Sequence, residues 1–389
     1  MTTVQRISSD DTPAYGSMAL RWQADDAWVV SEPAALRNLL DDLPPAERLA
    51  VEVAGELTNT VVTDHVPGRL VLFRDGTHTD VTTAPDGRVL LEVDASRALD
   101  DVVADAVAQG LTGIEMMSGV PGTIGGAVVQ NAGAYGQAIS DVFVRATAYR
   151  RTDAAIVTLQ PADLRFGYRT SRLKAAPGFS PDLLVLRVVV GLRRTAPAPI
   201  TYDDLARHHT SLGRADDDLA ARRASVLEVR ATKGMVVGGD HWRPSVGSFF
   251  VGAAVSREVA IDIATRVRGE AFARRFLDWY RPDGTTPRLP AALVLRAAGF
   301  VNGDHWGKVG LSERHVLALC NRGGATGTDV LAVSGLVRRQ VAERLGIDLE
   351  PEPKTLGEMP DLDLDAYAAA HPYTPGAGEP DWARATSGG

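Results

Sequence analysis

Cysteine is nearly absent: Cys320 is the only one among 389 residues. That excludes an intrachain disulfide and any zinc site built from cysteine pairs, and it is the usage expected of a reducing compartment. A surplus of positive charge is missing too. Lys and Arg number 41 against 49 Asp and Glu, a formal net charge of −8, which argues against a nucleic-acid partner that needs a broad basic face. Long apolar runs are also lacking: the most apolar stretch, residues 183–192, is short and broken by Arg187, and the opening Met-Thr-Thr-Val-Gln-Arg-Ile forms no signal-peptide core. A cytoplasmic protein without membrane contact is expected and, for want of a long exposed apolar repeat, a monomer. Histidine offers no metal site. His208 and His209 are adjacent rather than at ligand spacing, His241, His305 and His315 are scattered, and no H-E-x-x-H run occurs.

What is present is globular material. An apolar content of 45% and a charged content of 23% are ordinary, and at this length they predict two or three domains with a sizeable core.

Glycine is unevenly spread. Gly119, Gly122, Gly125, Gly126, Gly133 and Gly136 fall within eighteen residues that carry no charged side chain. Glycine costs about 0.5–1 kcal/mol relative to alanine inside regular structure, but it admits positive φ and lets backbone N–H groups approach an anion. The run is not a Rossmann fingerprint, because it follows a predicted helix rather than a strand and contains Pro121; it is not a P-loop, because no lysine and Ser/Thr pair follows a glycine. It reads as an irregular loop that wraps a cofactor's phosphates with backbone N–H groups, the plain alternative being a tight packing corner.

Periodicity predicts α+β organisation. Residues 32–43 read as a short helix, and 70–73 and 89–93 as strands. In 96–110 the apolar residues Leu99, Val102, Val103, Ala106 and Val107 keep helical spacing, with Ser96 as cap and Gly110 as stop. Strands are predicted at 143–149, 155–159 and 183–192, the last apolar enough to be buried on both faces. Helices follow at 216–233, 256–280 and 330–345, the third capped by Thr328 and ended by Gly346. From Glu358 onward the chain is rich in Pro, Ala and Asp without periodicity, and a loosely attached tail is expected.

Three further places could carry chemistry. Arg169, in Phe166-Gly-Tyr-Arg169, is a fixed cation whose planar fork suits a carboxylate. Ser248, between Gly247 and the rings of Phe249 and Phe250, puts a hydroxyl where water is excluded. Glu350 and Glu352 lie two apart and share a face of an extended segment. On the residues alone, a surface loop, a turn serine and a solvated acidic turn remain open for these three.

Taken together and in order, these segments resemble the UDP-N-acetylenolpyruvoylglucosamine reductase family, from about Leu70 to Gly357. The glycine run is similar to that family's flavin loop, ending in Gln130-Asn-Ala-Gly-Ala-Tyr-Gly136. The Arg169 segment, with Ser171 and Lys174, is similar to its arginine motif, and Gly247-Ser-Phe-Phe250 to its proton-donor motif. Leu349-Glu-Pro-Glu352 with Leu356-Gly357 is similar to its closing motif, in which the second acid is catalytic.

The resemblance implies an α+β fold with a two-part FAD-binding region of the vanillyl-alcohol-oxidase type and a separate α+β substrate-binding domain. The boundaries it implies are 1–78 and 79–234 for the two flavin-binding parts, 235–349 for the substrate domain, and 350–389 for a closing strand with the catalytic acid and the tail. Gly119, Pro121, Gly122, Thr123, Gly125, Gly126, Gln130, Asn131, Gly133, Ala134, Tyr135 and Gly136 would contact FAD. Tyr168, Tyr202, Arg230 and Lys233 would bind the nucleotide-sugar substrate.

Arg169, Ser248 and Glu352 would be the catalytic residues of a peptidoglycan-precursor enzyme. FAD reduced by NADPH would give a hydride from N5 to the terminal carbon of the enolpyruvyl ether; Arg169 and a protonated Glu352 would steady the charge on the adjacent carbon and its carboxylate, and Ser248 would hand over the proton.

The chain departs from the pattern in places. Gly55-Glu-Leu-Thr-Asn59 stands where the family has Gly-Gly-Gly-Ser-Asn, which brings the Glu56 carboxylate to a diphosphate loop and adds the bulk of Leu57. Val251-Gly-Ala-Ala254 stands where Asn-Pro is usual, and Arg296 where an acid is usual. A repurposed relative acting on another enolpyruvyl or nucleotide-linked substrate, with or without flavin, remains open, as does a non-catalytic nucleotide-sugar binder.

Overall fold

The computed structural model describes residues 4–175, 182–270, 273 and 288–377. Two compact units divide them: the described residues of Met1–Gly16, Gln23–Thr58 and His65–Trp242, and those of Ser17–Trp22, Asn59–Asp64 and Arg243–Gly389. Helices and mostly antiparallel sheets are segregated within each unit, which is an α+β arrangement.

Among the described residues, the first unit holds the short ladder of Gly133–Ala134 with Gln137–Ala138 and two larger sheets. One runs in the order Val4–Arg6, Gln23–Val30, His65–Phe73, Glu52–Ala54, with the last three strands parallel. The other is fully antiparallel, in the order Ala155–Leu159, Phe143–Arg150, Leu183–Leu192, Val89–Asp94, Thr79–Thr83. Its central strand is Leu183–Leu192, and Leu184, Leu186, Val188 and Val190 are buried together with Val185 and Val189. Burial of both faces explains why this strand reads as a continuous apolar run rather than an alternating one. The helices Pro33–Asp41 and Leu99–Ala108 join the same core through Leu36, Leu40, Leu99, Val102, Val103 and Ala106. Ser96 does not cap the second of them: its hydroxyl donates to the Ser31 carbonyl at 2.5 Å, and the helix begins after Ala98 without a side-chain cap.

One buried guanidinium pair ties this unit together. Arg151 is 0% exposed, and its Nη2 donates to the carbonyls of Arg48 at 2.5 Å and Val51 at 2.6 Å. Arg48 in turn donates to the carbonyls of Leu40, Leu43 and Arg151. Truncating Arg151 leaves those acceptors buried without donors, so Arg151→Ala should cost about 3 kcal/mol. The check is the urea midpoint, and an unchanged midpoint would contradict the assignment.

The second unit packs around the helix Gly327–Leu345, whose Val330, Val333, Leu336, Val337 and Val341 face the core. Its cap is Thr326, not Thr328. The hydroxyl of Thr326 accepts the Asp329 N–H, and the Asp329 carboxylate accepts the Thr326 N–H at 2.9 Å, a reciprocal box that Thr328 has no acid in place to form. Thr328 donates to Asp64 at 3.1 Å instead. The sheet beside this helix has the order Leu319–Asn321, Val309–Leu311, His305–Trp306, Tyr373–Thr374.

That last strand overturns the expected loose tail as far as residue 377. Asp363 caps a helix over Leu364–Ala370, and Leu364, Tyr367 and Ala368 pack on the core at helical spacing. The Tyr367 hydroxyl reaches Asp329 at 3.1 Å, and the Gly376 N–H donates to Asp304 at 2.8 Å. The helix expected to run to Tyr280 is described as Arg257–Arg268, and its remaining stretch lies largely outside the described residues.

Candidate active site

The glycine run is more ordered than an irregular loop. A short 3₁₀ turn spans Glu115–Met117, and Ile124–Gln130 is a helix capped by the Thr123 hydroxyl, which accepts the Gly126 N–H at 3.1 Å. Gly119 and Gly122 take φ of +70° and +101°, which an L side chain rarely adopts. Gly125 and Gly133 are required by close approach: a Cβ would lie 2.8 Å from the Ala95 carbonyl oxygen at the first and 2.7 Å from that of Gln137 at the second. Gly125→Ala should therefore shift the helix start, cost about 1–3 kcal/mol and weaken flavin retention. A variant with the parent melting temperature and its full flavin content would contradict this.

Several backbone donors of the run are already engaged within the protein. Gly125 donates to the Ala95 carbonyl at 2.9 Å, Gly119 to the Asp100 carboxylate at 2.6 Å, and Gly122 to the Glu56 carboxylate at 3.2 Å. Burial opposes ionisation of Asp100, but Arg223 and the Gly119 N–H outweigh it and hold its pKa below the usual range. At Glu56, burial wins over Arg74 and the Gly122 N–H and raises the pKa. Two N–H groups of this loop thus hold acidic side chains of the chain itself, Asp100 and Glu56.

The Arg169 segment is pinned to the end of the same run. Arg169 takes the left-handed conformation, φ +55°, and its Nη1 donates to the Gly133 carbonyl at 2.6 Å. Lys174 donates to the Arg169 carbonyl at 3.0 Å, Ser171 to that of Val129 at 2.7 Å, and the Asn131 amide to that of Gly167 at 2.8 Å. Asn131 also accepts the Ser140 N–H at 3.1 Å, so both ends of its amide are occupied in holding the loop.

Around this anchor the structure gathers most of the residues expected to bind substrate. The rings of Tyr135 and Tyr202 meet edge to face at 5.5 Å, Lys233 Nζ lies 5.9 Å from the Tyr135 centroid, and the exposed ring of Tyr168 lies 5.7 Å from the Arg169 guanidinium. Arg230 donates to the Met235 carbonyl at 3.1 Å, and its Nε is 3.3 Å from where a Cβ on Gly119 would lie. Burial pushes the Tyr135 phenol up to about 12 and raises that of Tyr202 as well, so both rings carry O–H donors at neutral pH.

Asp204 is a member that sequence reasoning missed. It forms an ion pair with Lys233; burial opposes its charge, yet the lysine bond holds its pKa below the usual range. Asp100 was missed as well. Each is separated in the chain from the group it contacts, so no local motif marks it.

In the second unit, Ser248 and Glu352 are brought onto neighbouring extended segments. Glu352 N–H donates to the Phe249 carbonyl at 2.8 Å, Val251 N–H to that of Glu350 at 2.9 Å, and Phe250 bridges Pro351. Ser248 is half-buried, follows Gly247 at φ +75°, and precedes the buried, edge-to-face rings of Phe249 and Phe250. Arg296, where an acid was expected, holds the end of its own helix by donating to Phe300 and Asn302.

Comparison with known proteins decides the family. Residues 34–159 match the FAD binding domain family, and residues 240–356 match the C-terminal domain of UDP-N-acetylenolpyruvoylglucosamine reductase. The reductase of that name from Mycobacterium tuberculosis is 40% identical over 282 residues, which cover 69% of this chain and 74% of that protein. The chain belongs to the UDP-N-acetylenolpyruvoylglucosamine reductase family. The Thermobifida fusca reductase is 38% identical over 311 residues, covering 78% of this chain and 85% of that one. In fold, the crystal structure of the Thermus caldophilus reductase superposes with a TM-score of 0.58 at 24% identity, covering 91% of this chain and 98% of that one.

As a member of this reductase family the chain is an oxidoreductase with an FAD-binding domain, and the glycine run lies inside that domain's span. The geometry fits such a cofactor in kind, since N–H groups of this loop donate to acidic oxygens, here those of Asp100 and Glu56. Among the described residues no helix is long and apolar enough to cross a membrane.

Proposed function

We propose that this chain carries out the NADPH-linked reduction of the enolpyruvyl ether of UDP-N-acetylglucosamine-enolpyruvate to UDP-N-acetylmuramate, a step of peptidoglycan synthesis. In this reading the parts 1–78 and 79–234 hold the cofactor, through the residues from Gly119 to Gly136, and 235–349 binds substrate. FAD, when bound and reduced by NADPH, supplies the hydride.

The chain's own residues do the rest. Arg169, fixed by its bond to the Gly133 carbonyl, presents a cation to the substrate carboxylate as charge builds on the adjacent carbon. Ser248 carries the proton that this carbon receives, and the flanking Phe249 and Phe250 keep water from competing. Glu352, whose backbone is tied to Phe249, steadies the same group by hydrogen bonding. Tyr168, Tyr202, Arg230 and Lys233 hold the nucleotide sugar, with Asp204 positioning Lys233.

The observation that supports this most is the anchoring of Arg169 on Gly133, because it puts the arginine motif against the flavin loop in a chain 40% identical to a reductase of this name. A repurposed relative acting on another enolpyruvyl substrate is not favoured by that identity, and a non-catalytic binder would have no use for Ser248 and Glu352 on paired segments.

The experiment is steady-state NADPH oxidation by the purified chain. Oxidation that depends on UDP-N-acetylglucosamine-enolpyruvate and yields UDP-N-acetylmuramate is expected. Oxidation that proceeds with a different enolpyruvyl ether and not with this one would replace the substrate assignment.

A further inference from the structure

The segment Gly55-Glu-Leu-Thr-Asn59 and the glycine run interlock within the first unit. A Cβ on Gly55 would lie 2.7 Å from the Thr123 hydroxyl, and a Cβ on Gly122 would lie 2.7 Å from the Thr58 hydroxyl, so each loop backs its glycine onto the other's threonine. Leu57 fixes the first loop. It is 2% exposed, takes the left-handed conformation at φ +56°, and packs against Gly16. A leucine in that region is strained, which keeps the turn in place only because the surrounding contacts hold it there. The consequence is the direction of Glu56, whose Oε2 accepts the Gly122 N–H.

A carboxylate oxygen on a loop N–H is chemically what a phosphate oxygen would be. Both loops lie within the span matched by the FAD-binding domain. We propose that Glu56 is a built-in occupant of one phosphate position of the flavin loop, so that the cofactor's diphosphate must displace it from the Gly122 N–H to bind. This rests on the reading that residues 119–136 hold the diphosphate of FAD. Arg74 is the positive group that faces Glu56, while Asp75 and Asp101 add negative charge. Once displaced, the carboxylate meets a like-charged diphosphate with Asp75 and Asp101 close by, which makes the cost of its presence larger than the loss of one hydrogen bond.

The chain therefore carries its own competitor for the cofactor, and this predicts specificity as well as affinity. Ligands with a diphosphate are penalised by Glu56; a flavin without phosphate is not.

The test is binding of FAD, ADP and riboflavin to the full-length chain freed of flavin, comparing the unsubstituted protein with Glu56→Gln and Glu56→Gly. Glutamine preserves the size of the side chain and removes its charge, whereas glycine removes the side chain; circular dichroism selects the variants that fold, and either one suffices. FAD and ADP should bind about tenfold or more tightly to the variants, the effect of removing one like charge at short range under partial screening, and riboflavin should bind equally to all three.

FAD affinity unchanged or weakened in the folded variants overturns the proposal, as does an equal gain for riboflavin, which would place the effect away from the phosphates. Failure of FAD to bind any of the three overturns the flavin reading itself, and this proposal with it. Unchanged but measurable FAD binding overturns the proposal alone.

Discussion

Ser248→Ala should lower kcat by about 100- to 10,000-fold, the span that a positioned proton donor contributes, with KM little changed. The backbone that carries the hydroxyl is held by its neighbours. Gly247 at φ +75° turns the chain into the Ser248 position, the Phe249 N–H is fixed on the Leu317 carbonyl at 2.8 Å, and the two phenylalanine rings that follow are buried. Removing Oγ leaves that frame standing, so folding and substrate affinity should survive while protonation of the substrate carbon slows. A cysteine at the same position keeps a transferable proton and should recover part of the rate. Measured kcat equal to that of the parent in Ser248→Ala would remove Ser248 from the mechanism.

Arg169→Lys should cost about 100- to 1000-fold in kcat, comparable to the loss of one preorganised donor in an anion-stabilising site. Charge is conserved by this exchange, but geometry is not. The arginine places Nη1 on the Gly133 carbonyl, 2.6 Å away, and its guanidinium is a rigid planar fork whose shape matches a carboxylate. Lysine has a single ammonium on a flexible stem and cannot hold the flavin-loop carbonyl and a substrate carboxylate in the same fixed arrangement. The kinetic split is the informative readout: an interaction made mainly as charge develops lowers kcat and kcat/KM together. A rise in KM alone would make Arg169 a ground-state binding group instead.

Much of the architecture was legible because its causes are local. The apolar run 183–192 is a strand buried on both faces, and the spacing of Leu99, Val102, Val103 and Ala106 marks a helix whose one face joins the core. Caps were less legible where two candidates compete. Ser96 lost its role to a bond with Ser31, a residue of another element. Thr326 won over Thr328 because only Thr326 has Asp329 at the reciprocal position. The tail was misread because its stripe of Leu364, Tyr367 and Ala368 is too short to register as periodic without the helix it packs on.

At the candidate site, residue types and order were legible, and partners were not. The glycine run announced that backbone would come close to something, but the sequence did not say that Gly125 approaches Ala95, or that carboxylates from Asp100 and Glu56 take the N–H groups of Gly119 and Gly122. Such pairs are set by tertiary packing, which leaves no spacing to count. Lys233 was picked out from a basic stretch, whereas Asp204, which holds it, lies at the start of a different helix, Asp203–Ser211.

The central claim is that this chain is a flavin-dependent reductase of a UDP-linked enolpyruvyl ether. Anaerobic mixing of the purified chain, its flavin reduced by NADPH, with UDP-N-acetylglucosamine-enolpyruvate tests it most directly. Return of the oxidised-flavin absorbance at least as fast as turnover, with UDP-N-acetylmuramate formed in equal amount to the flavin, is the predicted result. A colourless protein that takes up no FAD, or a reduced flavin that this substrate leaves reduced, would contradict it.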